Sequence, residues 1–171
     1  MFQDQARFGR MVRIRKCSSP APLRPVVQNG CQREHTYAYG AASPKDGQLE
    51  WGLTRKMNTE QMGGFLRQVS LACPEEHVFM IVDGASSHVA NELVVPENME
   101  LYRLPPCAPE LNAQEHIWDE VREKEFPNRV FDSMDEVISQ LKTGLPRLSA
   151  NRQCVKSITL WPWIKAILNG S

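Results

Sequence analysis

His77-Val78-Phe79-Met80-Ile81-Val82-Asp83 is the stretch on which the fold turns. It is apolar almost without interruption, the composition of a strand covered on both faces inside a parallel or mixed sheet. Asp83-Gly84 closes it with turn chemistry.

Upstream, Phe2 to Phe8 reads as a short opening strand, followed by a basic, proline-bearing connection from Cys17 to Gly30 with Pro20, Pro22 and Pro25. Thr36 to Ala42 and Leu49 to Leu53 flank Ser43-Pro44-Lys45-Asp46-Gly47, whose residues favour a tight turn, so a hairpin is predicted there. Asn58 stands three positions before the amide of Gln61, and Met62, Phe65, Leu66 and Val69 then recur at helical spacing, which predicts a helix running to Ala72.

Downstream, a short helical stretch is predicted over residues 88–93, and Met99 to Leu104 reads as another strand, stopped by Pro105, Pro106 and Pro109. Helices follow from Asn112 to Glu125, from Ser133 to Leu148 and from Val155 to Leu168, the last kinked or split by Pro162. This order gives an α/β fold: a five-stranded mixed sheet with helices on both faces. Right-handed crossover connection then lets the strand ending at Asp83 lie parallel to the first strand and beside it. Asp4 and Asp83 become neighbours.

Composition is consistent with such a domain. The chain has 171 residues, 42% hydrophobic and 23% charged, enough for one α/β domain with its own core. No apolar run approaches the roughly 18 residues needed to cross a bilayer. Cys17, Cys31, Cys73, Cys107 and Cys154 form an odd set without a CxxC pair, which suits a reducing compartment rather than a disulfide scaffold. The formal net charge of zero conceals a gradient, because Arg7, Arg10, Arg13, Arg15, Lys16 and Arg24 face only Asp4 in the first stretch of chain. Such a cluster suits a phosphate backbone, although a solvated face is the more common explanation of a short charge run.

Three acids stand out: Asp4 in the first strand, Asp83 at the carboxyl end of the most apolar one, and Glu115 in the first turn of the helix after Pro109. Each has an ordinary structural reading. Asp83 suits a turn, and Asn112-Ala113-Gln114-Glu115 is a capping-box pattern that recurs at Ser133-Met134-Asp135-Glu136. Their joint placement favours chemistry, since open α/β sheets gather ligands at the carboxyl ends of parallel strands. Three carboxylates there repel one another unless a hard cation joins them, and oxygen ligands suit Mg²⁺ or Mn²⁺ rather than zinc. Two such ions would support in-line attack at phosphorus.

Leu104-Pro105-Pro106-Cys107-Ala108-Pro109-Glu110-Leu111-Asn112-Ala113-Gln114-Glu115-His116-Ile117-Trp118 is similar to the "lP-ysPeLNPiE-iW" signature of the DDE-superfamily endonuclease domain of bacterial insertion-sequence transposases related to Tc/mariner elements. Ile81-Val82-Asp83-Gly84-Ala85-Ser86-Ser87-His88 resembles that family's segment around the second catalytic Asp, and Asp4 falls where the first is found. The chain departs from the pattern at Gln5, where the family has Glu, and at Ala113-Gln114, where it has Pro-Ile.

The resemblance implies a ribonuclease-H-like fold, with Asp4, Asp83 and Glu115 as catalytic ligands of two Mg²⁺ or Mn²⁺ ions. It implies a transposase catalytic domain that cuts and joins DNA at transposon ends. Residues 1–171 are expected to form one such domain, with the amino-terminal helix-turn-helix region of the family absent. DNA ends and target DNA are the expected partners, with a homodimeric copy and a separate helix-turn-helix subunit beside them, and no membrane; the expected location is the cytoplasm, at the nucleoid. Arg7, Arg10, Arg13, Arg15, Lys16 and His88 are the candidate phosphate contacts. Two other readings are a non-catalytic transposase remnant that binds DNA or a partner subunit, and a ribonuclease-H-like nuclease on another nucleic acid. Asp119 reads as a solvated helix residue, Cys31 and His35 lack zinc-finger partners, and Trp118, Trp161 and Trp163 read as core.

Overall fold

The structure is a computed structural model that describes residues 1–10, 20, 22, 34–83, 93–106, 108–127 and 130–170. Five strands form one sheet: β1 (Phe2–Gly9), β2 (His35–Ala42), β3 (Leu49–Thr54), β4 (Val78–Val82) and β5 (Met99–Arg103). The helices are α1 (Thr59–Ala72), α2 (Gln114–Glu125), α3 (Met134–Ala150), α4 (Arg152–Thr159) and α5 (Pro162–Leu168).

Strand order is β3-β2-β1-β4-β5. β1, β2 and β3 pair antiparallel through the predicted hairpin succession, whereas β4 runs parallel to both β1 and β5. The sheet is mixed, and the apolar strand ending before Asp83 lies beside β1 as the crossover argument requires.

Alternation along the strands sorts side chains onto two faces. Tyr39, Ala41, Val78, Met80 and Val82 turn to one, where α1 lays Met62, Phe65, Leu66 and Val69 across them. α1 starts where predicted, with the Asn58 side-chain Oδ1 accepting from the Gln61 amide at 2.9 Å. On the other face, Ala6, Phe8 and Ala38 meet Trp118 and Val121 of α2 and Val137, Leu141 and Leu145 of α3. Ala42 and Leu49 meet Ile117 and Val155, and Phe2 meets Ala113 and Ile164.

Two helices differ from expectation. The last predicted helix is two, α4 and α5, because Pro162 cannot donate to the turn before it and instead opens α5 at its first position. α2 begins at Gln114 rather than Asn112, whose side chain is drawn into contacts across the fold. The helix expected over residues 88–93 lies, apart from Leu93, outside the described residues.

Candidate active site

The site is assembled from β1, the end of β4 and the start of α2. Phe2 pairs with Ile81 across the parallel β1–β4 junction, so a step of two residues along both strands carries Asp4 and Asp83 to the same level and the same face. Asp4 is the buried one, with 6% of its surface exposed, while Asp83 and Glu115 are half-buried.

α2 is hung on β1 at two points. The Asn112 amide nitrogen donates to the Gln3 carbonyl at 3.0 Å, and its oxygen accepts from the Gln114 amide at 3.1 Å, turning the first residues of the helix toward the strand. One turn along, the Trp118 indole N–H donates to Asp4 Oδ2 at 2.9 Å in a fully buried setting. The helix lies close enough that a Cβ at Gly40, the β2 residue opposite Asp4, would meet the Trp118 ring at 2.7 Å. Only glycine admits that approach.

The capping box expected at Asn112–Glu115 is replaced by this arrangement. Among the described residues no hydrogen bond ties the Glu115 carboxylate back to Asn112, whereas at Ser133 half of the box forms, with Ser133 Oγ accepting from the Glu136 amide, and the Glu136 carboxylate accepts from the Asp132 amide one residue before the cap. Glu115 is thereby left beside Asp4.

The electrostatics record that proximity. The Asp4 carboxyl is raised from its ordinary 3.8 to about 7, first by burial, then by the negative charge of Glu115, with Asp83 adding to it. The Gln5 backbone and the Trp118 indole pull the other way by hydrogen bonding to the charged form. Three carboxylates from distant parts of the sequence thus feel one another. Among the described residues, no three His, Cys, Asp or Glu side chains converge tightly enough to enclose an ion. The chemistry of the set is nonetheless that of a hard-cation ligand, since an all-oxygen group in which one member holds its proton near neutrality would exchange that proton for a divalent cation.

The expected phosphate contacts divide. Arg7 is exposed on β1. Arg10 is engaged within the protein, donating to the Phe131 carbonyl at 3.0 Å and to Glu34 at 3.2 Å. Arg13, Arg15, Lys16 and His88 lie outside the described residues. Asp119 is exposed and pairs with Arg122 at 3.3 Å, as a solvated helix residue does. Trp118 is core, as its pattern implied, but its link to Asp4 was missed. The readable signal was its position one turn after Glu115, which puts the two on one side of the helix.

A mixed sheet in the order β3-β2-β1-β4-β5, with helices on both faces, defines a ribonuclease-H-like α/β domain. The chain belongs to the DDE superfamily endonucleases, a family that matches residues 1–138. It is 30% identical over 128 residues to the uncharacterized protein y4pE/y4sA of Sinorhizobium fredii (strain NBRC 101917 / NGR234), covering 74% of this chain and 95% of that protein. Its fold is similar to that of the Mos1 transposase in a paired-end complex with the left transposon end, with a TM-score of 0.63 at 18% identity over 94% of this chain. The Mos1 mariner paired-end complexes with Mn and with Mg superpose with TM-scores of 0.64 and 0.59, at 18% and 17% identity over 94% and 92% of this chain. The chain spans 55% of the Mos1 chain in each of the three. Among the described residues no helix is long and apolar enough to cross a membrane.

Proposed function

We propose that this chain is the catalytic domain of a transposase that hydrolyses and joins DNA phosphodiesters at transposon ends, with Asp4, Asp83 and Glu115 holding two Mg²⁺ or Mn²⁺ ions. The observation that carries the proposal is geometric: the β1–β4 register sets Asp4 and Asp83 level on one face, and Asn112 and Trp118 tie the start of α2, with Glu115 in its first turn, to β1. The raised Asp4 carboxyl follows from that placement. A carboxylate cluster of this kind is costly in an apoprotein and is retained where a cation repays it. Support also comes from the Mos1 structures, which contain a transposon end in one case and Mn or Mg in others.

The bound ions would supply charge neutralisation at the reacting phosphate and a more acidic water or 3′-hydroxyl. The chain's own residues prepare for that. Trp118 fixes Asp4 Oδ2 and so orients the carboxylate, while Asn112 holds the start of α2, and Glu115 with it, against β1. Arg7 offers a phosphate contact that carries no base information. In this proposal residues 1–171 form a single catalytic domain, and recognition of the end sequence belongs to a helix-turn-helix element outside them. The chain is assigned to the cytoplasm, at the nucleoid.

Asp83→Asn tests the assignment. The variant is expected to lose Mn²⁺-dependent cleavage of a duplex bearing the terminal repeat by about a thousandfold or more, while its melting temperature without metal stays level or rises as one repulsive charge is removed. Millimolar Mn²⁺ should raise the melting temperature of the parent and not of the variant. Parental cleavage by the variant would refute the assignment. A folded parent with neither cleavage nor a metal shift would mark a non-catalytic remnant.

A further inference from the structure

The family match ends at residue 138, before α4 and α5. These two helices build a feature that the carboxylate site does not explain. Trp161, at the corner between them, sets its ring 4.8 Å from His116 and 6.3 Å from Trp163, and Trp163 in turn meets Phe2 edge-on at 6.2 Å. The Trp161 indole N–H donates to the Ile158 carbonyl at 2.9 Å, which fixes its ring in the corner.

Both ends of this aromatic run lie on elements that carry the candidate site. His116 directly follows Glu115, and Phe2 precedes Asp4 by two residues on the same strand face, about 7 Å away at strand rise. Exposure separates these tryptophans from core ones. Trp118 is fully buried, whereas Trp163 leaves 39% of its surface open and Trp161 is half-buried. Beyond Trp163 opens a cavity of about 620 Å³ lined by Phe2, Phe79, Ile81, Ile164 and Ile167.

Charge selects the occupant. From Asn151 to Ser171 the sequence carries Arg152, Lys156 and Lys165 and no acid. Arg152 lies 3.4 Å from Asp46, while Lys156 and Lys165 are exposed on the helices that present the tryptophans. Partly exposed aromatic rings on a segment that also carries cations suit a single nucleic-acid strand, whose bases stack while its phosphates meet lysine. The cavity lining is of mixed charge, with Lys45 and His77 beside Asp46 and Glu76, so the phosphate contacts of such a strand fall to Lys156 and Lys165.

We propose that Trp161 and Trp163 form a stacking subsite for an unpaired nucleobase of the DNA strand adjoining the phosphate to be cut. The proposal takes its DNA substrate from the preceding section and adds a preference for unpaired or frayed ends.

The experiment is run without divalent metal, so that it reads binding and not cleavage. The full chain is titrated with a duplex bearing a short single-stranded overhang that contains 2-aminopurine, with the same duplex made blunt, and with Trp and 2-aminopurine fluorescence as readouts. The parent should bind the overhang more tightly than the blunt duplex and quench 2-aminopurine on binding. Trp163→Ala should lower overhang affinity roughly tenfold or more, in the range found when one base–aromatic stack is removed, and leave blunt-duplex affinity within about twofold. Trp163→Phe should recover most of the loss, and Trp161→Phe serves as a second variant that keeps an aromatic ring. Equal affinity of the parent for both duplexes would overturn the proposal, as would unchanged overhang binding by a folded Trp163→Ala, or a change of its oligomeric state in place of its DNA binding. A chain that cleaves nothing yet keeps the Trp163-dependent preference would refute the catalytic reading and leave the stacking subsite standing.

Discussion

Behind the sheet, Met62, Leu66 and Val69 of α1 and Met80 and Val82 of β4 are fully buried, and Gln3 is the polar intruder among them. In front, α2 buries Ile117 and Trp118 just as deeply, but the same layer encloses Asp4, Asn112 and Gln114. Both layers clothe the same strands, and alternation along β1 alone decides that Asp4 faces forward. The difference shows how a small domain divides its duties. Apolar packing on one side supplies stability, and the other side spends part of it holding polar groups away from water.

The largest effect expected from this division is on the back face. Leu66→Ala should cost about 2–5 kcal/mol in urea unfolding, the range for a buried leucine whose site cannot collapse, and should leave the Mn²⁺ affinity of the folded fraction unchanged. A cost below about 1 kcal/mol would mean that the stability does not reside there.

A comparable, pH-dependent effect is expected in front. Folding raises the Asp4 carboxyl from 3.8 to about 7, so between those values the folded protein keeps a proton that the unfolded chain has released. Below that window both states are protonated and Asp4 contributes nothing to the pH dependence. As pH rises through it, the metal-free domain loses stability at up to about 1.4 kcal/mol per pH unit, and above it the cost is complete. Asp4→Asn should flatten this slope in denaturant melts at successive pH values; an unchanged slope would place the titrating group elsewhere.

The smallest effect concerns Gln114. Its amide is fully buried, and among the described residues neither of its polar atoms has a hydrogen-bond partner. Gln114→Met keeps the length and removes the unsatisfied groups, and should raise stability by about 1 kcal/mol. Destabilisation in a thermal melt would reveal a partner for the amide.

What was legible in the sequence follows the range of the interactions involved. The β4 strand, the hairpin and the helix capped by Asn58 are set by neighbouring residues, so periodicity and turn chemistry were enough. Asn112 was read as a cap because its partner across the fold, the Gln3 carbonyl, leaves no local trace. Trp118 read as core, since an indole N–H reaching a carboxylate looks the same in sequence as any buried ring. Glu125 gave no signal at all. It resembles an ordinary charged residue at a helix end, yet it is 7% exposed, held by Gln140 at 2.7 Å and paired with Arg147. The three acids of the candidate site were legible only together, as a register argument joined to a motif.

Glu125 and Trp118 together have a mechanical meaning. α2 is a rod of twelve residues, about 18 Å long. It is anchored near Glu115 by its ties to β1 and at its far end by the grip of α3 on Glu125. The far anchor closes against Gly144, where an added Cβ would strike the Glu125 side chain at 2.5 Å. Glycine within a helix costs about 1 kcal/mol relative to alanine, so its presence there reflects the space the anchor needs. A methyl group at residue 144 would push on the distal end of the rod and slide or roll Glu115 at the other. A substitution at residue 144 that spares folding is therefore expected to shift Glu115 relative to Asp4, an effect set by geometry alone.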